Sequence, residues 1–399
     1  MQNNQKIPEG WSFKKLGELF FKSQKKNIEE KNIPVLTNSA VKGVVPQNEY
    51  FDREIVSEEN LSNYYYVECG DFIYNPRISK TAPAGPIKRN RFTKPGCVSP
   101  LYTVFKIASN VSEEFYENYF ESNLWAYEAY KVANYGARSD RMNITDKDFF
   151  NIKLPFPPLP EQEKIAEILS CWDDGIEKLS ALIEKKKIQK KALMQQLLTG
   201  KHRLKGFSTP WHEVRLGGVC KTFSGGTPSA ENQTYYGGNI PFIRSGEIHL
   251  DRTDLFITNK ALENTSAKLV SKGDLLYALY GATSGEVDIS KIDGAINQAI
   301  LCIRSQHMDL YFLCCLLQNK KEKILRKYLQ GGQGNLSAEI IKSLMIPEPD
   351  LAEQKAIAKI LSKADEEIEL LNKKLEAFKQ EKKALMQQLL TGKIRVKVN

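Results

Sequence analysis

Two long stretches of the chain carry apolar residues at alternating steps of four and three. The first runs from Ile165 to Leu197 and the second from Ile357 to Leu389, with polar residues between the apolar ones. This spacing is typical of a helix that packs along one face in a coiled coil. A Pro-rich run precedes the first stretch and a Thr-Gly pair follows each, which predicts an extended lead-in and two helix ends. We therefore expect two helices of roughly 38 residues, each about 57 Å long.

The two helical segments are copies of one sequence. The twelve residues KKALMQQLLTGK occupy positions 190–201 and, without a change, positions 382–393. At the same offset of 192, 28 of the 51 residues at 151–201 match those at 343–393. A helix with one apolar face needs a partner to cover that face in water. The duplication therefore predicts that the two helices pack on each other as an antiparallel coiled coil, in a pseudo-two-fold internal repeat.

Weaker repeats relate the segments that precede the two helices. The pattern W-x4-LG begins at Trp11 and Trp211, and GD-[FL]-[IL]-Y begins at Gly70 and Gly273. Between these landmarks the two segments differ freely, so the chain is one unit written twice with variable interiors. We predict two variable domains at 1–158 and 201–350, two conserved spacer helices at 159–200 and 351–393, and a tail at 394–399.

Both variable domains mix the patterns of strands and helices. Residues 99–107 and 295–303 are β-branched and aromatic runs of strand length. Ser112, which two glutamates follow, and Asp309 are typical helix N-caps. The predicted fold class is α/β (α+β): two copies of a globular domain with a mixed or antiparallel sheet, joined by the two long helices.

Composition narrows the class of protein. The chain has 399 residues, 41% of them hydrophobic and 26% charged, which is typical of a folded protein of two or three domains. The net charge of +9 identifies no partner by itself. Seven cysteines and four histidines lack the spacing of a disulfide framework or a zinc site. The polar amino terminus and a longest apolar run at 310–317 predict a cytoplasmic protein without a metal site or membrane span.

One stretch of the first variable domain is basic and free of acids. Residues 72–111 contain seven Lys or Arg and no Asp or Glu, with aromatic, Pro and Gly residues interleaved. The stretch is typical of a surface that follows DNA phosphates, although a solvated basic loop has the same composition. A second loop at 135–143 adds arginines that can reach guanine edges. The candidate DNA-binding residues here are Arg77, Lys80, Lys88, Arg89, Arg91, Arg138 and Arg141.

The corresponding loops of the second variable domain are small and polar. Glycine permits close approach of the backbone to a ligand, and Gln or Asn side chains pair with adenine. The same residues are also common in ordinary turns, so both explanations stay open. The candidate DNA-binding residues here are Arg244, Ser245, Tyr280, Thr283, Ser284, Gln333 and Asn335.

The identity of the KKALMQQLLTGK copies points to a second kind of contact. Helix packing conserves apolar positions but places no demand on exposed Lys and Gln. Two identical surfaces that dock the same partner account for the repeat, and helices that only connect the domains are the alternative. The candidate partner-binding residues are Lys191, Met194, Gln195, Lys383, Met386 and Gln387.

The sequence carries no pattern of a catalytic site. No Gly-rich phosphate loop of the G-x4-G-K-[ST] kind is present, and no dinucleotide or methyltransferase motif. The run Pro349-Asp350 with Glu353-Gln354-Lys355 is similar to a nuclease motif, but here it begins a predicted helix instead of lying on neighbouring strands. We therefore predict that the chain is not an enzyme.

The sequence resembles the specificity subunit of type I restriction–modification systems over nearly its whole length. The resemblance rests on the LxEQxxIAxIL starts at Leu159 and Leu351, the QQLLTGK ends at Gln195 and Gln387, and the repeated W-x4-LG and GD-[FL]-[IL]-Y patterns. It implies that each variable domain is a target recognition domain for one half of a bipartite, gapped DNA site. It also implies that the conserved helices fix the gap and dock two methyltransferase (modification) subunits.

The resemblance places the cofactors on other chains. S-adenosylmethionine, ATP and Mg are expected on the methyltransferase and the motor–nuclease (restriction) subunits, and none on this chain. The modest basicity of the second domain departs from a simple DNA-binding pattern and suggests that partners supply part of the phosphate contact. Two alternatives remain: the specificity polypeptide of a Type II-like two-subunit enzyme, and a coiled-coil scaffold that binds only proteins.

Overall fold

The structure of the chain, a computed structural model, falls into two compact units. One unit comprises Met1–Leu179 with Lys374–Asn399, and the other comprises Ser180–Lys373. We call them unit 1 and unit 2; each contains one variable domain and parts of both conserved segments. The structure describes residues 8–28, 33–50, 61–108, 110–134, 140–328 and 335–398.

The variable domain of unit 1 is built on three small sheets. Its elements are β1 (Ser12–Lys15), α1 (Leu16–Leu19), β2 (Phe20–Lys22), β3 (Val35–Ser39), β4 (Gly43–Pro46), α2 (Gln47–Tyr50), β5 (Tyr65–Val67), β6 (Phe72–Tyr74), β7 (Ile87–Arg89), β8 (Gly96–Val98), β9 (Thr103–Ile107), α3 (Glu113–Glu121), α4 (Ala126–Val132), α5 (Asp146–Phe150) and β10 (Lys153–Phe156). One sheet has the order β2-β9-β6-β7, a second has the order β4-β3-β8-β5, and β1 pairs with β10. All pairs are antiparallel except β3 with β8, so the sheet that contains them is mixed.

The variable domain of unit 2 repeats this topology strand for strand. Its elements are β11 (His212–Arg215), α7 (Leu216–Val219), β12 (Lys221–Ser224), β13 (Tyr236–Ile243), β14 (Phe256–Ile257), α8 (Asn259–Asn264), β15 (Lys268–Val270), β16 (Leu275–Ala278), β17 (Val287–Ile289), β18 (Gly294–Ile296), β19 (Ile300–Arg304), α9 (Leu310–Tyr328), α10 (Ala338–Lys342) and β20 (Met345–Glu348). The sheets are β12-β19-β16-β17, β14-β13-β18-β15 and β11-β20, and β13 runs parallel to β18. The predicted mixed-sheet domain in two copies is confirmed.

Two predicted strands each contain a turn. In the run at 99–107, residues 99–102 form a turn in which Tyr102 N donates to Ser99 O (3.0 Å), and only β9 lies within the run, because β8 ends at Val98. In the run at 295–303, β18 ends and β19 begins around a turn in which Asn297 Oδ1 accepts from Ala299 N (3.0 Å). The prediction of single strands was wrong because both flanking strands are buried, and burial makes the apolar pattern continuous across the turn.

The two predicted N-caps are confirmed. Ser112 Oγ accepts from Phe115 N at 3.2 Å at the start of α3. Asp309 Oδ1 accepts from Phe312 N at 2.9 Å at the start of α9. Each side chain satisfies one backbone donor that the first turn of a helix leaves free.

The conserved segments form the two long helices α6 (Leu159–Leu197) and α11 (Leu351–Leu389), each of 39 residues. Both end just before a glycine with positive φ, Gly200 at 69° and Gly392 at 67°. The helix C-terminus favours a left-handed residue there, and glycine adopts this conformation without a Cβ penalty.

The helices pack antiparallel on one another within each unit. In unit 2, Lys190 Nζ lies 2.5 Å from Asp365 Oδ1, and Lys186 Nζ lies 2.7 Å from Glu367 Oε1, so residue numbers rise on α6 as they fall on α11. In unit 1, the ring centroids of Trp172 and Phe378 are 5.3 Å apart. The predicted coiled-coil seam is confirmed. Three lysines interrupt its apolar pattern, and each is paired with a carboxylate of the facing helix: Lys186, Lys190 and Lys382.

The repeated Glu of the LxEQ motif holds each helix start to a tryptophan and an arginine. In unit 1, Glu161 accepts from Trp11 Nε1 at 2.9 Å and from Arg395 Nε at 2.6 Å. In unit 2, Glu353 accepts from Trp211 Nε1 at 2.9 Å and from Arg203 Nε at 2.7 Å. Both carboxylates are buried, so these charge-assisted hydrogen bonds compensate the loss of hydration.

The repeated Gln of the same motif joins the helix start to the variable domain. Gln162 accepts from Ser112 N at 3.0 Å and donates to Pro157 O at 2.8 Å. Gln354 makes the same pair of contacts, accepting from Asp309 N at 2.9 Å and donating to Pro349 O at 2.8 Å. The conserved Glu-Gln pair is therefore a structural joint between each helix and its domain.

Other features of the described residues agree with a globular protein. All seven cysteines are free thiols, and five of them are buried. Among the residues that the structure describes, no helix combines the length and apolarity that a bilayer span requires.

Candidate nucleic-acid interface

Two loops of the first variable domain that carry predicted DNA-binding residues lie side by side. The backbones of Arg77 and Arg141 form an isolated antiparallel bridge. On either side of it, Ile78 N donates to Asp140 O at 3.0 Å and Met142 N donates to Pro76 O at 2.8 Å. Residues 64 positions apart in sequence are thus brought side by side, an arrangement that the sequence analysis did not predict. Arg138 lies outside the described residues.

The loop between β6 and β7 has a tightly closed neck. Asn75 N donates to Pro86 O at 3.0 Å. Gly85 has φ of +85°, and a Cβ there would lie 2.2 Å from Asn75 O, so only glycine fits. Behind the loop, Tyr130 Oη donates to Pro83 O at 2.7 Å. The exposed side chains of Arg77 and Lys80 therefore project from a braced loop.

Three further cations of the acid-free stretch, Lys88, Arg89 and Arg91, lie against the acidic helix α3. Lys88 Nζ lies 2.9 Å from Glu121 Oε1 of α3. Arg91 contacts both oxygens of Glu117 at 2.7 and 2.6 Å, and these hydrogen bonds raise the pKa of the guanidinium. Arg89 also contacts α3, through the following glutamates: Glu113, Glu114 and Glu117.

These ion pairs bear on three candidates. Lys88, Arg89 and Arg91 are engaged by carboxylates of α3, so the positive charge that the sequence places on this stretch is largely compensated. Their contact with DNA stays a prediction, and the ion pairs favour Arg77 and Lys80 over them. The acids belong to a helix more than twenty residues further along the chain, and for that reason the local sequence gave no sign of them.

The second variable domain brings together the corresponding pair of loops. Leu336 N donates to Leu279 O at 3.0 Å, which places Asn335 beside the loop that follows β16. That loop forms a 3₁₀ turn at Gly281–Thr283. Asn335 is exposed and Thr283 is half-buried, so both remain candidates. Gln333 lies outside the described residues.

Two other candidates of this loop serve its structure. Ser284 is buried, and its hydroxyl donates to Leu279 O at 3.0 Å. Tyr280 is half-buried and packs against the core of unit 2. The prediction that Ser284 contacts DNA is therefore corrected, because its side chain is committed to the turn.

Arg244 and Ser245 lie in a self-contained turn after β13. Arg244 Nη2 lies 2.6 Å from Glu247 Oε1, and its backbone N donates to Glu247 Oε2 at 3.0 Å. Burial alone would raise the pKa of Glu247, but the hydrogen bonds from Arg244 and Thr253 lower it to about 2. The carboxylate stays charged at neutral pH and neutralises Arg244. The structure therefore favours a role for Arg244 in stabilising the turn over a contact with a DNA phosphate. Ser245 begins the turn and is half-buried.

Each domain has a third loop at this edge that the sequence did not indicate. In the first domain it is residues 99–102, where Tyr102 Oη lies 3.3 Å from Asn75 Nδ2. In the second it is residues 297–299, where Leu279 N donates to Ala299 O at 2.8 Å. Both lie inside runs that were predicted as single strands, although Ser99-Pro100 is a turn signal in the first of them.

The predicted docking residues divide between exposed and buried positions, and they do so identically in the two copies. Lys191, Gln195, Lys383 and Gln387 are exposed. Met194 and Met386 are buried, each in the hydrophobic core of its own unit. The two methionines are therefore corrected from docking residues to core residues. Their identity in both copies is explained by packing. The docking hypothesis now rests on the exposed Lys and Gln residues.

The described part of the chain has no grouping of three or more His, Cys, Asp or Glu side chains with the arrangement of a metal site. The candidate interface consists instead of cations, amides and backbone groups on loops. These are the groups that proteins use to contact phosphates and base edges.

Two copies of one mixed-sheet domain, each with a loop cluster at one sheet edge, and a pair of antiparallel helices define an internally duplicated protein with a candidate recognition surface in each half. The chain belongs to the family of type I restriction modification DNA specificity domains, whose model matches residues 8–190 and 208–380. The resemblance stated from the sequence is thereby confirmed.

Relatives in this family match different shares of the chain. The protein designated as the MjaX specificity subunit of a type I restriction enzyme of Methanocaldococcus jannaschii is 32% identical over 69% of this chain, which spans 66% of that relative. The MjaVIII specificity subunit of the same organism is 28% identical over 98% of this chain and 95% of its own length. The EcoR124I/EcoR124II specificity subunit of Escherichia coli is 26% identical over 57% of this chain and 61% of its own length.

Solved structures share the fold at low sequence identity. The type I restriction-modification S subunit from M. genitalium aligns with a TM-score of 0.59 at 16% identity, covering 98% of both chains. The HsdS subunit from Thermoanaerobacter tengcongensis aligns with a TM-score of 0.51 at 20% identity, covering 98% of this chain and 99% of its own. At these identities the likeness supports the fold alone.

Proposed function

We propose that this chain is the non-catalytic DNA-specificity subunit of a type I restriction–modification complex. Each variable domain reads one half of a bipartite, gapped DNA target. The observation that carries the proposal is one loop cluster on two copies of the same scaffold, with different chemistry in each. The first cluster presents Arg77, Lys80 and Arg141, whereas the second presents Thr283 and Asn335. Two domains with the same fold but different side chains in the loop cluster are suited to recognise two different half-sites.

The partners of the proposed complex are modification and restriction subunits. Two methyltransferase subunits would dock on the exposed residues of the repeated helix ends, Lys191 with Gln195 and Lys383 with Gln387. These subunits would carry S-adenosylmethionine, and the motor–nuclease subunits would use ATP and Mg. The whole complex would act in the cytoplasm. Family membership and the curated relatives support this assignment.

The two long helices would set the gap between the half-sites. Inserting whole helical turns in these helices should lengthen the gap and leave both half-sites unchanged. A change in the bases that are read would contradict a spacer role.

Sequencing of methylated sites tests the proposal directly. The chain is expressed with its methyltransferase subunits in cells that lack other DNA methylation, and modified positions are mapped genome-wide. We expect one asymmetric gapped motif. Replacing the first variable domain with that of a relative should change one half of the motif only. No motif, or a change in both halves, would overturn the proposal, and methylation by this chain without partners would overturn its non-catalytic part.

A further inference from the structure

The loop that precedes β9 in the first variable domain occupies the same place as the loop that precedes β19 in the second. It joins β8 to β9 in the first domain and β18 to β19 in the second. In each domain this loop is hydrogen-bonded to the residue that directly follows strand β6 or β16. That residue is Asn75 in the first domain and Leu279 in the second, and each begins the loop after its strand. The candidate DNA contacts described above lie on that neighbouring loop. We call these segments the third loops: residues 99–102 and 297–299.

In the first domain a hydrogen-bond network fixes the third loop. Tyr102 Oη lies 3.1 Å from Thr37 Oγ1 of β3 and 3.3 Å from Asn75 Nδ2. Asn75 is also the residue whose backbone closes the neck of the Arg77 loop. At the tip of the third loop the Leu101 side chain is 61% exposed. Single exposed apolar residues are common, so the informative fact is the position of Leu101 beside the loop of Arg77.

In the second domain backbone contacts fix the third loop from two sides. Leu279 N donates to Ala299 O at 2.8 Å, and Leu279 O accepts from Leu336 N at 3.0 Å. On the other side Gly225 N donates to Asn297 O at 3.2 Å. A Cβ at Gly225 would lie 1.8 Å from the backbone oxygen of Ile296, the last residue of β18. The exposed Gln298 therefore stands on a loop held beside the cluster that carries Asn335.

The amide of Gln298 is oriented by a neighbour. Thr227 Oγ1 donates to Gln298 Oε1 at 2.6 Å. A carbonyl oxygen has a second lone pair, so Oε1 still accepts another hydrogen bond, and Nε2 is available as a donor on the same edge of the amide. This donor and acceptor pair matches the N7 and N6 groups of adenine in the major groove.

We propose that the third loop of each domain reads a base pair, with Leu101 contacting the C5-methyl group of a thymine and Gln298 pairing with an adenine. The inference rests on the proposed function and adds to it two specificity-determining residues with different chemistry, which lie on equivalent loops, one position apart in the alignment of the strands. An apolar side chain distinguishes thymine by its methyl group, and an amide distinguishes adenine by its donor and acceptor pair. The same loop thus contributes to both half-sites without reading the same base edge.

The test uses the complete chain in complex with its methyltransferase subunits. Methylated sites are mapped for wild type, Leu101→Ala and Gln298→Ala. We expect Leu101→Ala to relax the requirement at one A·T pair of the first half-site only, and Gln298→Ala at one A·T pair of the second only, each by about tenfold in discrimination. Relaxation in neither half-site, or at a G·C pair, would overturn the assignment for that residue.

A substitution in the DNA isolates the methyl contact. Replacing thymines of the first half-site with deoxyuridine removes only the methyl groups. Wild-type complex should bind the substituted duplex about tenfold more weakly, whereas the Leu101→Ala complex should bind both duplexes equally. A wild-type complex that does not distinguish the duplexes would overturn the role of Leu101, and this holds even where the variant fails to assemble.

Matched variants control for exposure and side-chain type. Phe21→Ala removes a 55% exposed apolar side chain from β2, opposite Lys106 of β9, and Asn264→Ala removes an exposed amide at the end of α8. Both should leave the motif unchanged, and a motif change in either would contradict the special role of the third loops. Failure of the wild-type complex to give any gapped motif would instead refute the proposed function, so the two failures are distinguishable.

Discussion

Lys190 of α6 donates to Asp365 of α11 at 2.6 Å, and the repeat reproduces this pair with the helices exchanged. Lys382 of α11 donates to Asp173 of α6, also at 2.6 Å. All four residues occur at the offset of 192 that relates the two halves of the chain. The side chains of both lysines are largely buried, which explains how a cation is tolerated in an apolar seam.

We expect the Lys382–Asp173 pair to stabilise unit 1 through direct coupling. A double-mutant cycle with Lys382→Ala and Asp173→Ala, measured by denaturant unfolding of the whole chain, should give a coupling free energy of about 1 kcal/mol. The exposed pair Lys379–Glu376 on the same helix is the control and should couple more weakly, because solvent screens both charges. Equal coupling in the two cycles would contradict a special role for the seam pair.

The joint at Gln354 should matter for stability because it ties the start of α11 to the start of α9. Gln354→Met keeps the volume of the side chain but leaves Asp309 N and Pro349 O without their partner, so we expect a loss of about 2 kcal/mol in the free energy of unfolding. Lys355→Met, at the exposed neighbouring position, should change it little. A Gln354→Met variant as stable as wild type would show that the joint is not needed.

Substitutions in the repeated helix ends should affect stability and docking separately, depending on whether the side chain is buried or exposed. Met386→Ala should destabilise the chain by about 2–4 kcal/mol because it opens a cavity in the core of unit 1. Gln387→Ala and Lys383→Ala should leave the unfolding transition in place and weaken assembly with methyltransferase subunits, measured by titration. Normal assembly of both exposed variants would argue that the helices only connect the domains.

Ion pairing predicts which arginines contribute to DNA affinity. In the complete complex, Arg77→Ala should reduce the slope of log K against log salt concentration by about one for each phosphate contact that is lost. Arg91→Ala should leave the slope unchanged, because Glu117 already engages that guanidinium. A larger change of slope for Arg91→Ala than for Arg77→Ala would contradict the view that Glu117 compensates the charge of Arg91 while Arg77 is available to contact phosphate.

A histidine of unit 2 should make its stability depend on pH. The hydrogen bond to Asp288 Oδ2 (2.9 Å), together with the nearby charge of Glu286, raises the pKa of His249 despite the opposing effect of burial. Glu286 also pairs with Lys321, and Lys291 donates to the backbone oxygen of His249. A raised folded-state pKa means that the stabilisation is full below the unfolded value of about 6.5 and is lost as pH rises through the folded value.

The measurement compares wild type with His249→Gln across pH. The difference in free energy of unfolding should be largest near about pH 6 and should shrink toward about pH 8. A difference that is constant with pH, or that grows with pH, would show that protonated His249 does not stabilise the fold. His307→Gln serves as the control, with a side chain on an exposed loop.

Local chemistry made part of the site predictable. The Pro and Gly residues around Arg77 exclude a helix and predict a loop, and the structure has a loop there with Gly85 at its neck. The fate of Arg91 was not predictable in the same way, because its partner Glu117 belongs to a helix that only the sheet topology brings against β7. Leu101 and Gln298 were missed because the turns that expose them lie between two buried strands.

By itself, the sequence determined the duplication, the two long helices, their seam and the mixed-sheet class of the domains. These features are periodic or repeated, so they are encoded by residues close together or by direct identity between the halves. The tertiary structure alone decided which cations remain free, which repeated residues serve as joints and which loops meet at one edge. Those outcomes depend on contacts between residues far apart in the chain, and no local pattern records them.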